Sequence, residues 1–135
     1  MSDCIFCKIV AREIPSEIVF EDEQTLAFLN IHPVMPGHAL IIPKRHADRF
    51  AVTPAEDVVA VMATAQKIAP AILAAVGAAD FNFSTNNGPA AGQVIFHTHF
   101  HLIPRKPKDG HEHWHGDQHP KGIPALGAKI REAIG

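Results

Sequence analysis

The pattern of apolar and polar positions divides the chain into short strands around one long helix. Residues 17–20 (Glu-Ile-Val-Phe) read as a strand ending in the acidic turn Glu21-Asp22-Glu23-Gln24, and residues 25–31 (Thr-Leu-Ala-Phe-Leu-Asn-Ile) as its hairpin partner. Two prolines and a glycine between Pro33 and Gly37 mark a turn, and Ala39-Leu40-Ile41-Ile42 is an apolar strand closed by Pro43. Val58, Val61, Met62, Ala65, Ile68, Ile72 and Val76 then recur at steps of three and four, the signature of one helix face. Thr53-Pro54-Ala55-Glu56 supplies an N-cap threonine, a proline at the first helical position and a glutamate at the third. Pro70 predicts a kink or an early end, and Gly77 a stop. Residues 81–84 and 94–103 read as further strands on either side of the loop Asn86-Asn87-Gly88-Pro89-Ala90-Ala91-Gly92. A helical turn or two is expected over 8–13 and a short terminal helix over 125–131. The order β-β-β-α-β-β, with hairpin spacing at the start, predicts an antiparallel α+β fold.

Composition narrows the functional classes. With 135 residues, 47% hydrophobic and 19% charged, the chain has the balance of one ordinary globular domain. No continuous apolar run approaches the roughly 20 residues of a membrane span, and Met1-Ser2-Asp3-Cys4 has no secretory character. A cytoplasmic location, with reduced thiols, is therefore the expectation. The net charge of −2 offers no basic surface for a nucleic-acid backbone. The only two cysteines stand as Cys4-x-x-Cys7, a spacing that reads as half a metal site or a redox pair.

Ten histidines are the strongest chemical signal, and three of them alternate in His97-Thr98-His99-Phe100-His101. On a strand, His97, His99 and His101 share one face, while Thr98, Phe100 and Leu102 take the other. Buried imidazoles in a row are costly unless each has a partner. Two chemistries suit them: metal ligation by alternate histidines, and nucleophilic attack on phosphorus by a neutral ring whose other nitrogen is held by an acceptor. The glycine-containing loop just upstream favours phosphate, because glycines let backbone N–H groups approach oxyanions.

The run from Gln93 to Ile103 resembles the His-x-His-x-His-apolar-apolar signature of the histidine triad family of nucleotide-binding proteins. Cys4-Ile5-Phe6-Cys7-Lys8-Ile9, Ile14-Pro15, Phe28-Leu29-Asn30-Ile31, Pro36-Gly37-His38 through His46, and Asn86 are similar to that family as well. The resemblance covers roughly residues 3–105. It implies a domain over 1–105 and a His-rich tail over 106–135, with a five-stranded antiparallel sheet, one long helix and a short N-terminal helix. It also implies a homodimer across which the sheet continues.

By resemblance His99 is the nucleophile of a covalent nucleotidyl-histidine intermediate. His101, Gln93 and Asn86 contact phosphate oxygens or the leaving group, His97 completes the triad, and His38 supports it. Phe6, Ile9, Phe28 and Ile31 form an apolar pocket for a base, by family expectation a purine. Asn30 stands where the family commonly has an aspartate gripping the ribose, so weaker ribose binding is expected. Cys4, Cys7, His46 and His97 match a four-ligand structural zinc site of bacterial members. The implied activity is hydrolysis or transfer at the α-phosphorus of a nucleoside phosphoramidate, an acyl-nucleotide or a dinucleoside polyphosphate. The run 101–106 (His-Leu-Ile-Pro-Arg-Lys) leans toward the polyphosphate hydrolases. A nucleotide-binding interaction module with incidental hydrolysis is the alternative, and a hydrolase whose metal sits on the three histidines is a third reading. In the tail, His111, His113, His115 and His119 read as a metal-binding tract or a solvated segment, and Trp114 as a residue that reaches a partner's site.

Overall fold

The computed structural model describes residues 3–135. Helix α1 (Ile5–Val10) is followed by strands β1 (Ile18–Glu21), β2 (Thr25–Leu29) and β3 (Ala39–Pro43), helix α2 (Ala55–Val76), strands β4 (Asp80–Ser84) and β5 (Phe100–Arg105), and helix α3 (Ile123–Ile134). The five strands form one antiparallel sheet in the order β1-β2-β3-β5-β4. The α+β fold expected from the sequence is the fold observed.

Strand alternation sorts the apolar side chains onto two faces. Ala27, Ala39, Ile41, Phe100 and Leu102 pack against Val61, Ala65, Ile68 and Ala69 of α2. Leu26, Phe28, Leu40 and Ile42 pack on the opposite face against Phe6 and Ile9 of α1. α1 is therefore the element that covers the histidine-bearing face. It starts one residue after Cys4, whose Sγ accepts the N–H of Cys7.

Helix α2 departs from expectation at both its start and its proline. Its N-cap is Pro54, and the Thr53 hydroxyl caps nothing. That hydroxyl bonds the carbonyl of Arg49 (2.7 Å) and the hydroxyl of Thr98 (2.6 Å), which binds the helix entry to the triad segment. The helix runs through Pro70 to Val76, with Pro70 on its exposed side. Neighbouring turns and the packed face hold it, so one lost backbone bond does not end it. Gly77 stops it as expected, in the left-handed conformation (φ 70°), with Ala78 N–H on the carbonyl of Leu73. By length and composition α2 is apolar enough to cross a membrane, although Gln66 and Lys67 break its continuous apolar run, and only 28% of its most apolar window is buried. Its outward side is thus apolar as well.

After β5 the chain is turned by one hub. Arg105 donates to both carboxylate oxygens of Asp109 (2.7 and 2.9 Å), to Asn82 Oδ1 (2.7 Å) and to the His111 carbonyl (2.7 Å). Beyond it no residue of α3 is buried. This helix begins earlier and ends later than residues 125–131.

Candidate active site

The strand expected over 94–103 exists only from Phe100 onward. The reason lies across the sheet. β3 pairs with β5 from Ala39↔Leu102 to Ile41↔Phe100, and Pro43, at the end of β3, has no N–H with which to extend the ladder. Its free carbonyl takes the Nε2–H of His97 instead, at 2.8 Å. Residues 97–99 are held by loop contacts, notably Thr98 N–H on the Ala47 carbonyl at 2.8 Å. The alternation nevertheless persists: Phe100 and Leu102 face α2, and the histidines face α1.

The hydrogen bonds define each ring's tautomer. Nδ1 of His99 lies 2.7 Å from the His97 carbonyl, which can only accept, so Nδ1 carries the hydrogen and Nε2 keeps its lone pair. Val34 N–H donates to Nδ1 of His38 at 3.1 Å, so His38 donates through Nε2 to Nδ1 of His101 at 2.9 Å. His101 then presents an Nε2–H donor. His97, with its hydrogen on the Pro43 carbonyl, turns a bare Nδ1 toward Cys4 Sγ (3.3 Å), Cys7 Sγ (3.5 Å) and His46 Nδ1 (3.3 Å). The three rings therefore do not converge on one point. Among the described residues the one grouping of potential metal donors is Cys4, Cys7, His46 and His97. The reading of the triad as three ligands of a catalytic metal is set aside on this geometry, and the tail histidines form no such group.

Burial keeps these rings neutral. It lowers His99 and His38 below the ordinary histidine value of 6.5. It pushes His101 down to about 4, with the charges of His99 and His38 adding to the effect. His97 is also lowered to about 4, chiefly by burial. The unfolded chain takes up protons near pH 6.5 that folded His101 and His38 refuse. Their contribution to stability is therefore complete above pH 6.5 and lost as pH falls toward 4. The melting temperature is expected to be flat above pH 7 and to decline between pH 6.5 and 5, before most carboxylates titrate. A melting temperature unchanged across that interval would contradict this burial.

His99 and His101 line a cleft of about 550 Å³, together with Phe6 and Ile9 of α1, Phe28 of β2, and Asn30, Ile31 and Asn86. The apolar end is well defined. Phe6 meets Phe28 edge-on at 5.3 Å and His99 at 5.1 Å, and both phenylalanines are buried. Ile31 sits at the rim, 82% exposed. The Asn30 Oδ1 accepts the His32 N–H at 2.8 Å, so its amide nitrogen is the group left for a ligand. Leu40, Ile14 and Ile95 also line the cleft. No chemical signal distinguishes these three from core residues in the sequence.

Several expected contacts are placed elsewhere. Gln93 is buried outside the cleft: its oxygen accepts Gly88 N–H (2.8 Å), and its nitrogen donates to the carbonyls of Asp48 (2.6 Å) and Ile95 (3.1 Å). It braces the loop through these bonds. Several of the loop's N–H groups are likewise bonded within it. Ala91 and Gln93 donate to Gly88, and Gly92 donates to Pro89. Gly92 has φ 94°, which is what requires a glycine there, and a side chain would meet the Asn86 amide at 3.5 Å. His97 does not line the cleft and acts from the cluster behind it. The Arg105 guanidinium, part of the run that leaned toward polyphosphate chemistry, is taken up by Asp109, Asn82 and His111.

The antiparallel five-stranded sheet with one long helix is the fold of solved HIT family structures. The HIT domain family matches residues 11–108, and the chain belongs to that family. It is 47% identical over 108 residues to the adenylylsulfatase HINT3 of Arabidopsis thaliana, an alignment covering 80% of this chain and 55% of that protein. It is 44% identical over 107 residues to an uncharacterized HIT-like protein of Methanocaldococcus jannaschii, covering 79% and 82%. Among solved structures, SMU.412c from Streptococcus mutans superposes with a TM-score of 0.94 at 39% identity, covering 100% of this chain and 87% of the other. A HIT family member from Bacillus subtilis superposes with a TM-score of 0.89 at 38% identity, covering 99% of each.

Proposed function

We propose that this chain is a nucleotide hydrolase or transferase acting at an α-phosphorus through a covalent intermediate on His99. The observation that carries this is the 2.7 Å bond from His99 Nδ1 to the His97 carbonyl, which leaves Nε2 as a buried, neutral nucleophile in the cleft. In the first step a bond forms from Nε2 to phosphorus and the bond to the leaving group breaks. The positive charge that develops on the His99 ring is met by the His97 carbonyl at Nδ1–H. The His101 Nε2–H, oriented through His38, donates to the departing atom or to a phosphate oxygen. Water then attacks phosphorus, the bond to His99 breaks with its electron pair returning to Nε2, and the proton released by the water balances the one taken up by the departing group. Dividing one displacement into two is the benefit of the covalent route.

Substrates of this class are nucleoside phosphoramidates, acyl-nucleotides and related phosphoanhydrides. The HINT3 relative, named an adenylylsulfatase, supports nucleotide hydrolysis in the family. In our reading a purine base occupies the apolar end between Phe6, Ile9 and Phe28, and the ribose lies beside Asn30. Asn30→Asp is expected to restore two charged acceptor oxygens and to tighten ribonucleotide binding by about threefold to tenfold, the effect of strengthening one hydrogen bond to a charged group. Titration calorimetry with AMP and its 2′,3′-dideoxy analogue checks this; an equal gain for both would contradict a ribose contact.

We also propose zinc at Cys4, Cys7, His46 and His97. Zinc–nitrogen bonds of about 2.1 Å and zinc–sulfur bonds of about 2.3 Å place tetrahedral donors about 3.4 Å apart for N···N and about 3.6 Å for N···S. The separations here are 3.3 Å for the two nitrogens and 3.3, 3.5 and 3.5 Å for the pairs His97–Cys4, His97–Cys7 and His46–Cys7, and all four donors lie within 4.8 Å of one another. Such a closed set is structural, and no step at phosphorus passes through the metal. Two features support a homodimer: the outer edge of β4 with Phe81 and Phe83 exposed, and the apolar outward side of α2.

A further inference from the structure

We propose that Cys4, Cys7 and His46, which lie behind the nucleophile, are positioning residues for it, acting through the backbone carbonyl of His97. The proposal rests on the reading of His99 as nucleophile, and it adds how that nucleophile is armed.

The His97 ring is fully buried and gripped from both sides. Its Nε2–H bonds the Pro43 carbonyl, and its Nδ1 sits in the cluster, 3.3 Å from Cys4 Sγ and from His46 Nδ1. The same residue's carbonyl holds the Nδ1–H of His99. Residues 97–99 lie outside the β-ladder, so no strand partner sets the direction of that carbonyl. What sets it is the ring on one side and Thr98 on the other. Thr98 N–H bonds the carbonyl of Ala47, the residue next to His46. One short stretch, His46-Ala47, therefore grips both ends of the peptide that orients the nucleophile.

A second connection runs through α1. Cys4 caps this helix and Cys7 lies within it. The same six residues carry Phe6 and Ile9, which wall the cleft, and Phe6 stands edge-on to the His99 ring at 5.1 Å. The cluster thus joins the wall of the base pocket to the peptide that fixes the nucleophile's tautomer. Loosening it lets the His97 carbonyl turn away. A His99 ring without that acceptor populates the tautomer with hydrogen on Nε2, which has no lone pair to offer phosphorus.

The test compares zinc-loaded wild type with His46→Ala, Cys7→Ala and the donor-preserving His46→Cys, at a temperature where each is folded by thermal melt. Long-range 1H–15N spectra read the His99 tautomer, and kcat and KM are measured with adenosine phosphoramidate. We expect hydrogen on Nδ1 alone in wild type and a tautomer mixture in His46→Ala. Its kcat should fall about 10–100-fold, the cost of a small misplacement of a reacting group. Cys7→Ala should also raise KM through α1, and His46→Cys should restore the wild-type tautomer. Folded His46→Ala and Cys7→Ala proteins with His99 wholly on Nδ1–H and unchanged kcat would overturn the proposal, whatever their melting temperatures. Turnover that persists in His99→Ala overturns the nucleophile reading instead, and the tautomer spectra still decide whether the cluster orients His99.

Discussion

His99→Ala is expected to reduce turnover of a nucleoside phosphoramidate by at least about 10⁴-fold, roughly 5.4 kcal/mol of barrier. The magnitude follows from what the site retains. Without the imidazole, His101 still donates and the apolar end still binds, but nothing in the cleft has the same poised lone pair. His32, the third histidine lining the cleft, lies two residues beyond Asn30. Nucleotide affinity should change little, within about threefold, because Phe6, Ile9 and Phe28 pack largely on one another and on β3. A large loss of binding with kcat preserved would assign His99 to ground-state contact only. By contrast, His38→Ala should act through His101, by freeing its tautomer, and cost less.

Removal of the metal is expected to have the largest effect on stability. Four donors from three distant segments (Cys4 and Cys7, His46, His97) meet in one cluster, so the zinc we propose there would cross-link the N-terminal helix, the loop after β3 and the triad segment. Binding energy of a structural zinc is folding energy, because the unfolded chain has no preformed site. Loss of zinc to a chelator, or Cys4→Ala, is expected to cost at least about 3 kcal/mol, near 10 °C in melting temperature for a chain of this size. Differential scanning calorimetry with and without chelator, beside elemental analysis for zinc, checks this. A zinc-free protein with an unchanged melting curve would remove the metal from the account. Because the metal lies outside the cleft, slowed but persistent turnover after chelation is the matching kinetic result. Complete and immediate loss in a folded protein would favour chemistry on the ion.

Much of this architecture is legible in the residues, and the places where it is not share a cause. The hairpin of β1 and β2, the apolar run of β3 and the stripe of α2 are local patterns, and each element appears where its periodicity places it. The misplacements occur where tertiary bonding outcompetes a local signal. Thr53 has every feature of an N-cap, yet its hydroxyl is claimed by Arg49 and Thr98. Residues 94–99 read as the first part of a strand that alternates from His97 onward, yet Pro43 cannot pair with them, and no local feature of the His97 region announces a proline across the sheet. The loop from Gly88 to Gly92 looks made for phosphate, yet the N–H groups of Gly88, Ala91 and Gly92 are taken by Gln93, Gly88 and Pro89. In the candidate site, the distinctive side chains (the histidines, the cysteine pair, Phe6 and Asn30) are legible as chemistry. The parts supplied by backbone atoms, the carbonyls of His97 and Pro43, are not, because any residue provides a carbonyl and only the fold says which one is aimed.

The most direct measurement is to quench the wild-type protein during turnover of adenosine phosphoramidate and to locate any adenylyl adduct by intact mass and fragmentation, beside AMP release by His99→Ala. The account predicts an adduct on His99 in the wild type, and neither adduct nor AMP release above background in the variant. AMP release by His99→Ala at the wild-type rate, or an adduct on another residue, would contradict it.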